Sequence, residues 1–492
     1  MKKDCIQCVG FDCGNSSIRT VIGRYDGSSI EMELVQKEPN GAVTVNGVHY
    51  WDILNIFNIM QNGLKKAVET YGHIDSVGIT TWGIDFGLLG SSGHLLNNPF
   101  CYRNEFGLKG MESVDESTRQ RLFELTGIQN HPMNSLYQLV GIRKLVPEYY
   151  SFAKDLLLVP DLLTYMFTGQ KGTESTIAST SQLLDMRTQQ YSQEVLDLMG
   201  LERTMFHPVV PHGQVRGLML PSIAEKLNIP SIPFISVPSH DTASAVVSVP
   251  ATSDQFVFIS SGTWSLIGTE LPGPIINAKV FEHSFANEGG ALGSITLLKN
   301  SAGMHIIKNV KDEMCTAQGK SYSWDELLDM AEQAGVSVSL YDPNNTKLFN
   351  PDKIIEAIQE LSGESEISRV LASSYISLAC SYREAIESLQ EITASVFEQV
   401  HIIGGGSRNG YLNQLAANIS GKVIIAGPEE ATSLGVIAMQ ILHHDPSQSL
   451  SSIRRMISKS FHPKTYHPDT TFPSEALYAQ YLSKKDIGNS LS

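Results

Sequence analysis

The chain has 492 residues, of which 42% are hydrophobic, enough for packed cores in two large domains or three of average size. Its 36 Lys and Arg residues are outnumbered by 51 Asp and Glu residues, which gives a formal net charge of −15, and it contains no dense basic run. This balance argues against nucleic acid or an anionic membrane as the partner and favours a small-molecule ligand.

The sequence also lacks the patterns of membrane-spanning and disulfide-stabilised proteins. No segment approaches the roughly 18 uninterrupted apolar residues of a membrane helix, and the start MKKDCIQC leads into a predicted strand rather than a signal sequence, which predicts a cytoplasmic protein. Six widely spaced cysteines do not form a disulfide framework. Cys5 and Cys8 form a C-x-x-C, but no second pair or histidine cluster accompanies it, so a metal or redox role is not favoured.

The first predicted element is a β-hairpin. Residues 5–35 are typical of two or three strands, and the first two are joined by a turn of glycine and hydroxyl residues at 12–17. The backbone N–H groups of such a turn can point at an anion, although most turns of this kind bind nothing. Asp12 lies beside the turn, where its carboxylate can hold Mg²⁺ directly or through water.

Helical and strand patterns then alternate. A helix is predicted over 52–71, an apolar strand over 73–89, and mainly helical structure over 112–168, interrupted by prolines at 132, 147 and 160. Strands interleaved with helices predict an α/β fold. Asp85 falls inside the apolar strand, where an unpaired carboxylate is costly, so either ligand hydroxyls or neighbouring N–H groups must satisfy it.

Residues 237–250, VPSHDTASAVVSVP, predict an apolar approach that ends at Pro238 and a small-residue helix that begins near His240 and Asp241. A carboxylate in the first helical turn is favoured in its charged form by the helix N-terminus, and an ionised base can accept a proton at neutral pH. The same pattern is equally that of a plain helix cap. A domain boundary is expected just after this helix.

A second hairpin of the same design opens the second half, with apolar segments at 256–259 and 264–267 around a turn at 260–263. Two such hairpins can clamp a polyphosphate from both sides, so the presence of both favours phosphate binding more strongly than either turn alone. Helices are predicted over 323–334 and 367–389, and the tail after about 445 is predicted to be irregular, ending in a short helix near Tyr478.

A βαβ unit follows the long helix, with a strand at 399–403, the turn Gly404-Gly405-Gly406, a helix at 409–419, a strand at 422–425 and another helix from about 431. The crevice at the carboxyl end of the first strand predicts a nucleotide site, although the glycines can instead serve only helix–strand packing. Neither this turn nor Gly319-Lys320-Ser321 has the spacing of a dinucleotide fingerprint or a P-loop.

Taken in order, several segments resemble the FGGY carbohydrate kinases, and within that family the bacterial rhamnulokinases. These segments are TWGIDFGLL (81–89), NSLYQL (134–139), SHDTASAV (239–246), SSGTWSL (260–266), NEGGA (287–291), GGGSRNGYLNQLAAN (404–418) and AGPEEATSLG (426–435). The resemblance implies the actin-like ATPase fold, an α/β fold of two ribonuclease H-like domains with ATP in the cleft between them. The expected divisions are an N-terminal domain at 1–248, a C-terminal domain at 249–445 and a tail at 446–492.

The resemblance further implies transfer of the ATP γ-phosphoryl group to the 1-hydroxyl of L-rhamnulose, with Mg²⁺ near Asp12 and with Asp241 as the general base. The residues implied to contact the sugar are Gly83, Asp85, His240, Asp241, Thr242 and Asn300. Those implied to bind ATP are Asn15, Ser16, Ser17 and Arg19 in the first hairpin, Gly262 and Thr263 in the second, and Gly405, Gly406 and Asn409 near the adenosine. The expected assembly is a monomer or a homodimer.

Four residues depart from the family pattern. Ile18 stands where a Gly is usual, Asn104 where Asp is usual, His305 follows Met304 where a Trp is expected, and Lys308 replaces a common Gln. These departures leave open a kinase of the same family for another ketose or polyol, such as L-fuculose or L-xylulose. A second alternative, of a different class, is an ATP-binding sensor of the actin-like fold that modifies no sugar.

Overall fold

A computed structural model of the chain describes residues 5–349, 351 and 353–485. The chain forms two compact units: unit 1 comprises Met1–Ser248, Glu270–Leu297 and Ala431–Ser460, and unit 2 comprises Val249–Thr269, Leu298–Glu430 and Phe461–Ser492. Each unit consists of three separate segments, whereas the domains expected from the sequence are continuous stretches of chain. The expected domain boundaries stay a prediction. Residues 1–4 and 486–492 of those predicted domains lie outside the described part.

The β-strands are mostly short. In chain order they are β1 (Ile6–Cys13), β2 (Ser17–Tyr25), β3 (Ile30–Pro39), β4 (Ala42–Val45), β5 (Val48–Trp51), β6 (Ser76–Thr81), β7 (Phe86–Leu89), β8 (Asp155–Leu158), β9 (Thr173–Glu174), β10 (Leu184–Asp185), β11 (Gln190–Tyr191), β12 (Val209–Val210), β13 (Val215–Leu218), β14 (Pro233–Ile235), β15 (Val257–Ser261), β16 (Trp264–Leu271), β17 (Ala286–Gly289), β18 (Ile295–Ala302), β19 (Gln399–Ile403), β20 (Val423–Ala426) and β21 (Lys464–Tyr466).

The α-helices range from five to 27 residues. In chain order they are α1 (Ile53–Tyr71), α2 (Phe106–Glu112), α3 (Glu116–Thr126), α4 (Ser135–Leu145), α5 (Pro147–Phe152), α6 (Val159–Thr168), α7 (Ser175–Ser179), α8 (Gln193–Met199), α9 (Pro221–Leu227), α10 (Asp241–Val247), α11 (Ala278–Glu282), α12 (His305–Gln318), α13 (Trp324–Ala334), α14 (Ile354–Ser362), α15 (Ile367–Thr393), α16 (Gly410–Ser420), α17 (Ala431–His444), α18 (Leu450–Phe461) and α19 (Ser474–Ser483). No helix in these described ranges is long and apolar enough to cross a membrane.

Unit 1 is built on a six-stranded sheet in the order β13-β14-β6-β1-β2-β3. The predicted N-terminal hairpin is confirmed: β1 and β2 pair antiparallel from Ile6↔Tyr25 to Cys13↔Ile18, and β6 pairs in parallel with β1. Helix α1, capped by the side chain of Asp52, packs against β2 and β3. It buries apolar residues that recur every three or four positions, as an amphipathic helix does: Ile53, Ile56, Met60, Leu64 and Ala67.

The strand predicted over 73–89 is two strands, so the placement of Asp85 inside a strand was wrong. Strand β6 ends at Thr81, Ile84 adopts a left-handed φ of 68°, and β7 begins at Phe86. Asp85 lies in this break. Gly83 and Asp85 are residues typical of turns, but each stands between apolar residues, so the segment as a whole resembles one continuous strand. Strand β7 pairs with β8, which in turn interrupts the region predicted to be mainly helical.

Unit 2 repeats the hairpin design of unit 1. Strands β15 and β16 pair antiparallel, and β19 pairs in parallel with β15. The predicted βαβ unit is confirmed as β19, α16 and β20, with β19 and β20 parallel. The long helix α15 buries a run of small and apolar residues and packs against α13 and α16.

The tail is more regular than predicted. Residues 450–461 form the amphipathic helix α18, and β21 pairs with β20 at the edge of the sheet of unit 2. The helix predicted near Tyr478 is confirmed as α19. The prolines at 446, 463, 468 and 473 lie between these elements and not within them. The prolines therefore separate regular elements here, although the sequence predicts an irregular tail.

Candidate active site

Three of the predicted site segments of unit 1 meet at one edge of its sheet. Cys13 at the end of β1 pairs with Thr81 at the end of β6, and Thr81 in turn forms a parallel bridge with His240. The Thr81 N–H donates to the Ser239 carbonyl at 2.9 Å. The turn of the first hairpin, the TWGIDFG segment and the SHDT segment therefore share the carboxyl edge of parallel strands, where α/β proteins commonly bind ligands.

Asp241 is the first residue of α10, and 36% of its side chain is exposed, whereas His240 and Thr242 beside it are buried. Its Oδ1 accepts from the Thr242 backbone N–H at 2.7 Å and from the Thr242 hydroxyl at 3.3 Å. Oδ2 has no hydrogen-bond donor among the described residues. This carboxylate is thus held at one oxygen and available at the other.

His240 lies between two carboxylates. Its Nε2 is 3.3 Å from Asp241 Oδ1, and its Nδ1 is 3.2 Å from Glu288 Oε2, although the latter two atoms are not well aligned for a hydrogen bond. Burial opposes protonation, but the charges of Glu288 and then Asp241 outweigh it and raise the pKa of His240 to about 9. The ring therefore carries a positive charge at neutral pH, directly beside Asp241.

Glu174, which no sequence motif marks, fixes the residue before His240. Only 1% exposed, it accepts from the Ser239 N–H at 3.0 Å and the Ser239 hydroxyl at 2.6 Å. It also accepts from the Thr176 hydroxyl at 2.6 Å and from the His212 ring. Burial acts to raise the pKa of Glu174, but His212 and these donors hold it well below its usual range. Its sequence context, a run of small and hydroxyl residues, carries no functional pattern.

Asp85 is satisfied within the protein. Its Oδ2 accepts from the indole N–H groups of Trp51 at 2.5 Å and Trp82 at 2.9 Å, and its Oδ1 accepts from the Gln138 amide at 3.2 Å. Burial raises the pKa of Asp85 to about 7 against the opposing effect of these donors. Of the two explanations open at the sequence level, the N–H groups account for its stability when buried. A direct contact with a sugar stays a prediction.

Gly83 lies in the same break between β6 and β7, and a Cβ there would lie 3.2 Å from the Thr180 side chain. Thr180 also accepts from the Ile84 N–H through its hydroxyl at 3.0 Å. The backbone of the TWGIDFG segment is thus held close to Thr180, which leaves little room for any side chain at position 83.

The tip of the first hairpin exposes Asn15 and Ser16, whereas Ser17 is buried at the start of β2. Arg19 lies beside Asp12, with Nη1 3.3 Å from Oδ2, and that same oxygen accepts from the Ser433 hydroxyl at 2.8 Å. Mg²⁺ in phosphate sites is usually bound by one or two carboxylates together with waters and phosphate oxygens. A single carboxylate fits such a contact, and the described residues contain no cluster of three or more His, Cys, Asp or Glu able to hold a metal.

In unit 2, the exposed tip of the second hairpin is Gly262-Thr263. The Gly262 carbonyl accepts from the Met304 N–H at 3.1 Å, and the Thr263 carbonyl accepts from the His305 N–H at 3.0 Å. A Cβ on Gly303 would lie 2.6 Å from the Thr263 carbonyl, so only glycine permits this approach. The start of α12 therefore holds the carbonyls of the turn.

The glycine turn of unit 2 packs on the same hairpin. Ser260 pairs with Ile403, so the second hairpin and Gly404–406 share one sheet edge, and a Cβ on Gly406 would lie 2.0 Å from Ser261 Oγ. Gly405, in contrast, is exposed and has open space around it. Asn409 caps α16 by accepting from the Leu412 N–H at 3.0 Å. Asn300 lies exposed on β18.

The four departures from the family pattern have structural surroundings of their own. Ile18 is buried in the core of unit 1. The Asn104 side chain accepts from the His49 N–H at 2.9 Å and donates to the His49 and Cys101 carbonyls at 2.7 and 2.9 Å. His305 packs on Trp264 with ring centroids 4.3 Å apart, and Lys308 forms an exposed pair with Asp312.

Comparison with known proteins agrees with this arrangement. The FGGY family of carbohydrate kinases matches through its N-terminal domain at residues 7–248 and through its C-terminal domain at residues 257–443. A rhamnulokinase from Bacteroides thetaiotaomicron is 36% identical over 477 residues, covering 96% of this chain and 97% of that protein. A rhamnulokinase from Enterococcus faecalis is 33% identical and covers 95% and 96% respectively.

The crystal structure of a xylulose kinase from Lactobacillus acidophilus superimposes with a TM-score of 0.82 at 18% identity, covering 97% of each chain. At that identity the likeness shows the fold alone, which is the two-domain α/β fold of the actin-like, ribonuclease H-like ATPases. The two matched domains and the relatives of full length show more: this chain is a carbohydrate kinase, acts on a sugar and ATP, and belongs to the FGGY family of carbohydrate kinases.

Proposed function

We propose that this kinase transfers the γ-phosphoryl group of ATP to the 1-hydroxyl of L-rhamnulose, giving L-rhamnulose 1-phosphate and ADP, with Asp241 as the general base. The observation that carries the assignment of the base is the carboxylate of Asp241 at the start of α10, exposed where its neighbours are buried. The choice of sugar rests on the rhamnulokinases that are 36% and 33% identical to the chain.

In this proposal Asp241 Oδ2 accepts the proton of the sugar hydroxyl as its oxygen attacks the γ-phosphorus. The bond from that phosphorus to the bridging oxygen breaks, and ADP leaves with the bond's electron pair. Such a transfer needs little covalent chemistry from the protein, so the rate depends on positioning and on charge around the transferring group. The positively charged ring of His240 lies with Nε2 3.3 Å from Asp241 Oδ1, the oxygen opposite to the one proposed to accept the proton.

The residues proposed for the sugar are Gly83, Asp85, His240, Asp241, Thr242 and Asn300. For the phosphates, the N–H groups and side chains at the tips of the two hairpins are proposed, namely Asn15, Ser16, Ser17, Arg19, Gly262 and Thr263. Gly405, Gly406 and Asn409 are proposed for the adenosine, since Gly405 leaves open space in which only backbone would meet a planar ring. Mg²⁺ would be held through Asp12, and when bound it neutralises charge on the phosphate oxygens.

The test of the substrate is coupled release of ADP with Mg²⁺–ATP and a panel of L-rhamnulose, L-fuculose, L-xylulose, D-xylulose and glycerol. Strong turnover on L-rhamnulose alone is expected. A preference for another member of the panel would keep the mechanism and reject the substrate. Release of ADP that is indifferent to every sugar would reject both and favour the sensor.

The test of the base is Asp241→Asn, which preserves shape and removes the proton acceptor. General-base catalysis contributes about 10²- to 10⁴-fold, so a loss of kcat of at least this order is expected, with ATP affinity unchanged in a direct binding assay. Asp254→Asn removes an exposed carboxylate elsewhere and serves as the control. An equal loss of ATP affinity in Asp241→Asn would contradict the role assigned to this residue.

A further inference from the structure

The C-terminal end of α10, the helix that begins with Asp241, is held by an arginine from the tail. Arg454 of α18 donates from Nη2 to the Val246 carbonyl at 3.0 Å and from Nε to the Val247 carbonyl at 3.3 Å. The same Nη2 donates to Glu270 Oε2 at 2.6 Å. The side chains of Arg454 and Glu270 are only 8% and 12% exposed. This is a buried, paired guanidinium directed at the end of a helix.

Helix α10 has particular need of such a partner because it is only seven residues long. The last four carbonyls of an α-helix have no partner within it, and in α10 the last residues are buried from water. A helix of two turns is also unstable by itself, so its position is set by what packs against it. A cation at the C-terminus supplies both hydrogen bonds and favourable interaction with the helix dipole.

A second contact restricts the same helix from the side. Gly435 of α17 lies so close to it that a Cβ there would be 1.8 Å from the Ser244 carbonyl oxygen. The Ser244 hydroxyl in turn donates to the Pro238 carbonyl at 2.6 Å, ahead of the helix. With its side against α17 and its end on Arg454, α10 has little freedom to slide or rotate. At 1.5 Å per residue, a shift at Val247 reaches Asp241 about 9 Å away with nothing flexible between them.

We propose that Arg454, together with Glu270, is a positioning residue for Asp241: it fixes the C-terminal end of α10 and thereby the direction in which the carboxylate faces the sugar hydroxyl. The inference rests on the proposed function, since it needs Asp241 to be the base. The inference assigns a positioning role to the tail, since α18 lies beyond residue 443, where the match to the family domains ends.

The first experiment compares Arg454→Met with Arg455→Met, its matched control on the same helix. Arg455 is exposed and donates only to the Ser451 hydroxyl, at 2.7 Å. Because a misplacement of about 1 Å can cost about 10²-fold in rate, Arg454→Met is expected to lose kcat by about that factor per folded molecule, with the KM for ATP unchanged. Arg454→Lys, which keeps the charge but loses the two-pronged geometry, is expected to fall between the two.

Arg454→Met leaves Glu270 buried without a partner and can fail to fold, so a double variant completes the design. Replacing both members of a buried ion pair by apolar residues of similar size is often neutral for stability. Arg454→Met with Glu270→Leu should therefore have a higher thermal midpoint than Arg454→Met alone, although the Val246 and Val247 carbonyls still lose their donor, and it should lose kcat by about the same factor as Arg454→Met.

A stable double variant with the kcat of the wild-type protein would overturn the inference, as would a loss of activity that only follows the loss of folded protein. If the wild-type protein itself showed no sugar-dependent release of ADP, the proposed function would fail first, and the two failures are thus distinct.

Discussion

The charge on His240 gives the sharpest prediction for the candidate active site. Its pKa, about 9 in the folded protein, lies above the ordinary 6.5. At about 1.4 kcal/mol per unit, the shift corresponds to about 3 kcal/mol of folding free energy. Because the folded pKa is the raised one, this contribution is fully present below pH 6.5 and is lost as the pH rises through about 9. Stability should therefore fall over this window.

Glu288→Gln removes the carboxylate that contributes most to the raised pKa, while keeping the size of the side chain. Burial then dominates, opposed only by Asp241 and the more distant Glu174, so the pKa of His240 should fall toward or below its ordinary value. The variant is expected to lose up to about 3 kcal/mol of stability relative to the wild-type protein at pH 6, and almost none at pH 9.5.

The assay is the free energy of unfolding in denaturant at several pH values, together with a carbon-13 NMR titration of labelled histidine, in which His240→Gln assigns the His240 signal. Glu282→Gln, which removes a carboxylate from an exposed position of α11, is the control and should parallel the wild-type protein. If Glu288→Gln and the wild-type protein lost stability in parallel between pH 6 and 9.5, the reasoning about this pair would be refuted.

Three other substitutions test the neighbouring contacts. Asp85→Asn removes a buried charge whose pKa is raised to about 7, so it should stabilise the fold at pH 8 but not at pH 4 while weakening sugar use; equal effects at both pH values would argue against a buried carboxylate. Gly435→Ala sets a Cβ 1.8 Å from the Ser244 carbonyl and should lower kcat about 10²-fold, with Gly273→Ala, which meets nothing within 4 Å, as an active control. Asn104→Asp restores the family residue but loses a donor to two carbonyls, and should cost about 1–3 kcal/mol in denaturant unfolding; a tighter KM for the sugar at unchanged stability would show instead that this position selects the substrate.

The sequence predicted best what local pattern controls. Periodic apolar residues interrupted by glycine and hydroxyl residues predicted both hairpins, the long helix α15 and the unit formed by β19, α16 and β20. These signals are local, because a turn residue affects the backbone only within a few positions along the chain. The break at Ile84 escaped because Gly83 and Asp85 stand within a longer apolar run, and because the Ile84 N–H is held by Thr180, almost a hundred positions later. The prediction of an irregular tail was wrong because the tail forms short elements that depend on distant partners. Strand β21 pairs with β20, and α18 contacts α10 through Arg454.

The candidate site divides in the same way. Asp241 is visible in the sequence because a family motif surrounds it, whereas the groups that hold it come from distant segments without one. Glu174 acts on Ser239 from 65 positions away, and Arg454 acts on Val246 from 208 positions away. A lone Glu among hydroxyl residues and an Arg in an amphipathic helix are ordinary surface patterns, and only the folded chain brings them into the core.

The buried charges around α10 are better explained by position than by stability. Glu174 with His212 fixes Ser239 before the helix, and Glu270 with Arg454 holds the end of the helix. Buried ion pairs are often no more stabilising than apolar residues of the same volume, because removing two charges from water offsets their attraction. What such pairs provide is direction, since hydrogen bonds to charged groups are short and have narrow geometry. The pairs lie before and after α10, which is only seven residues long and begins with Asp241. They therefore fix the direction of the Asp241 carboxylate, which must meet a single sugar hydroxyl in a single orientation.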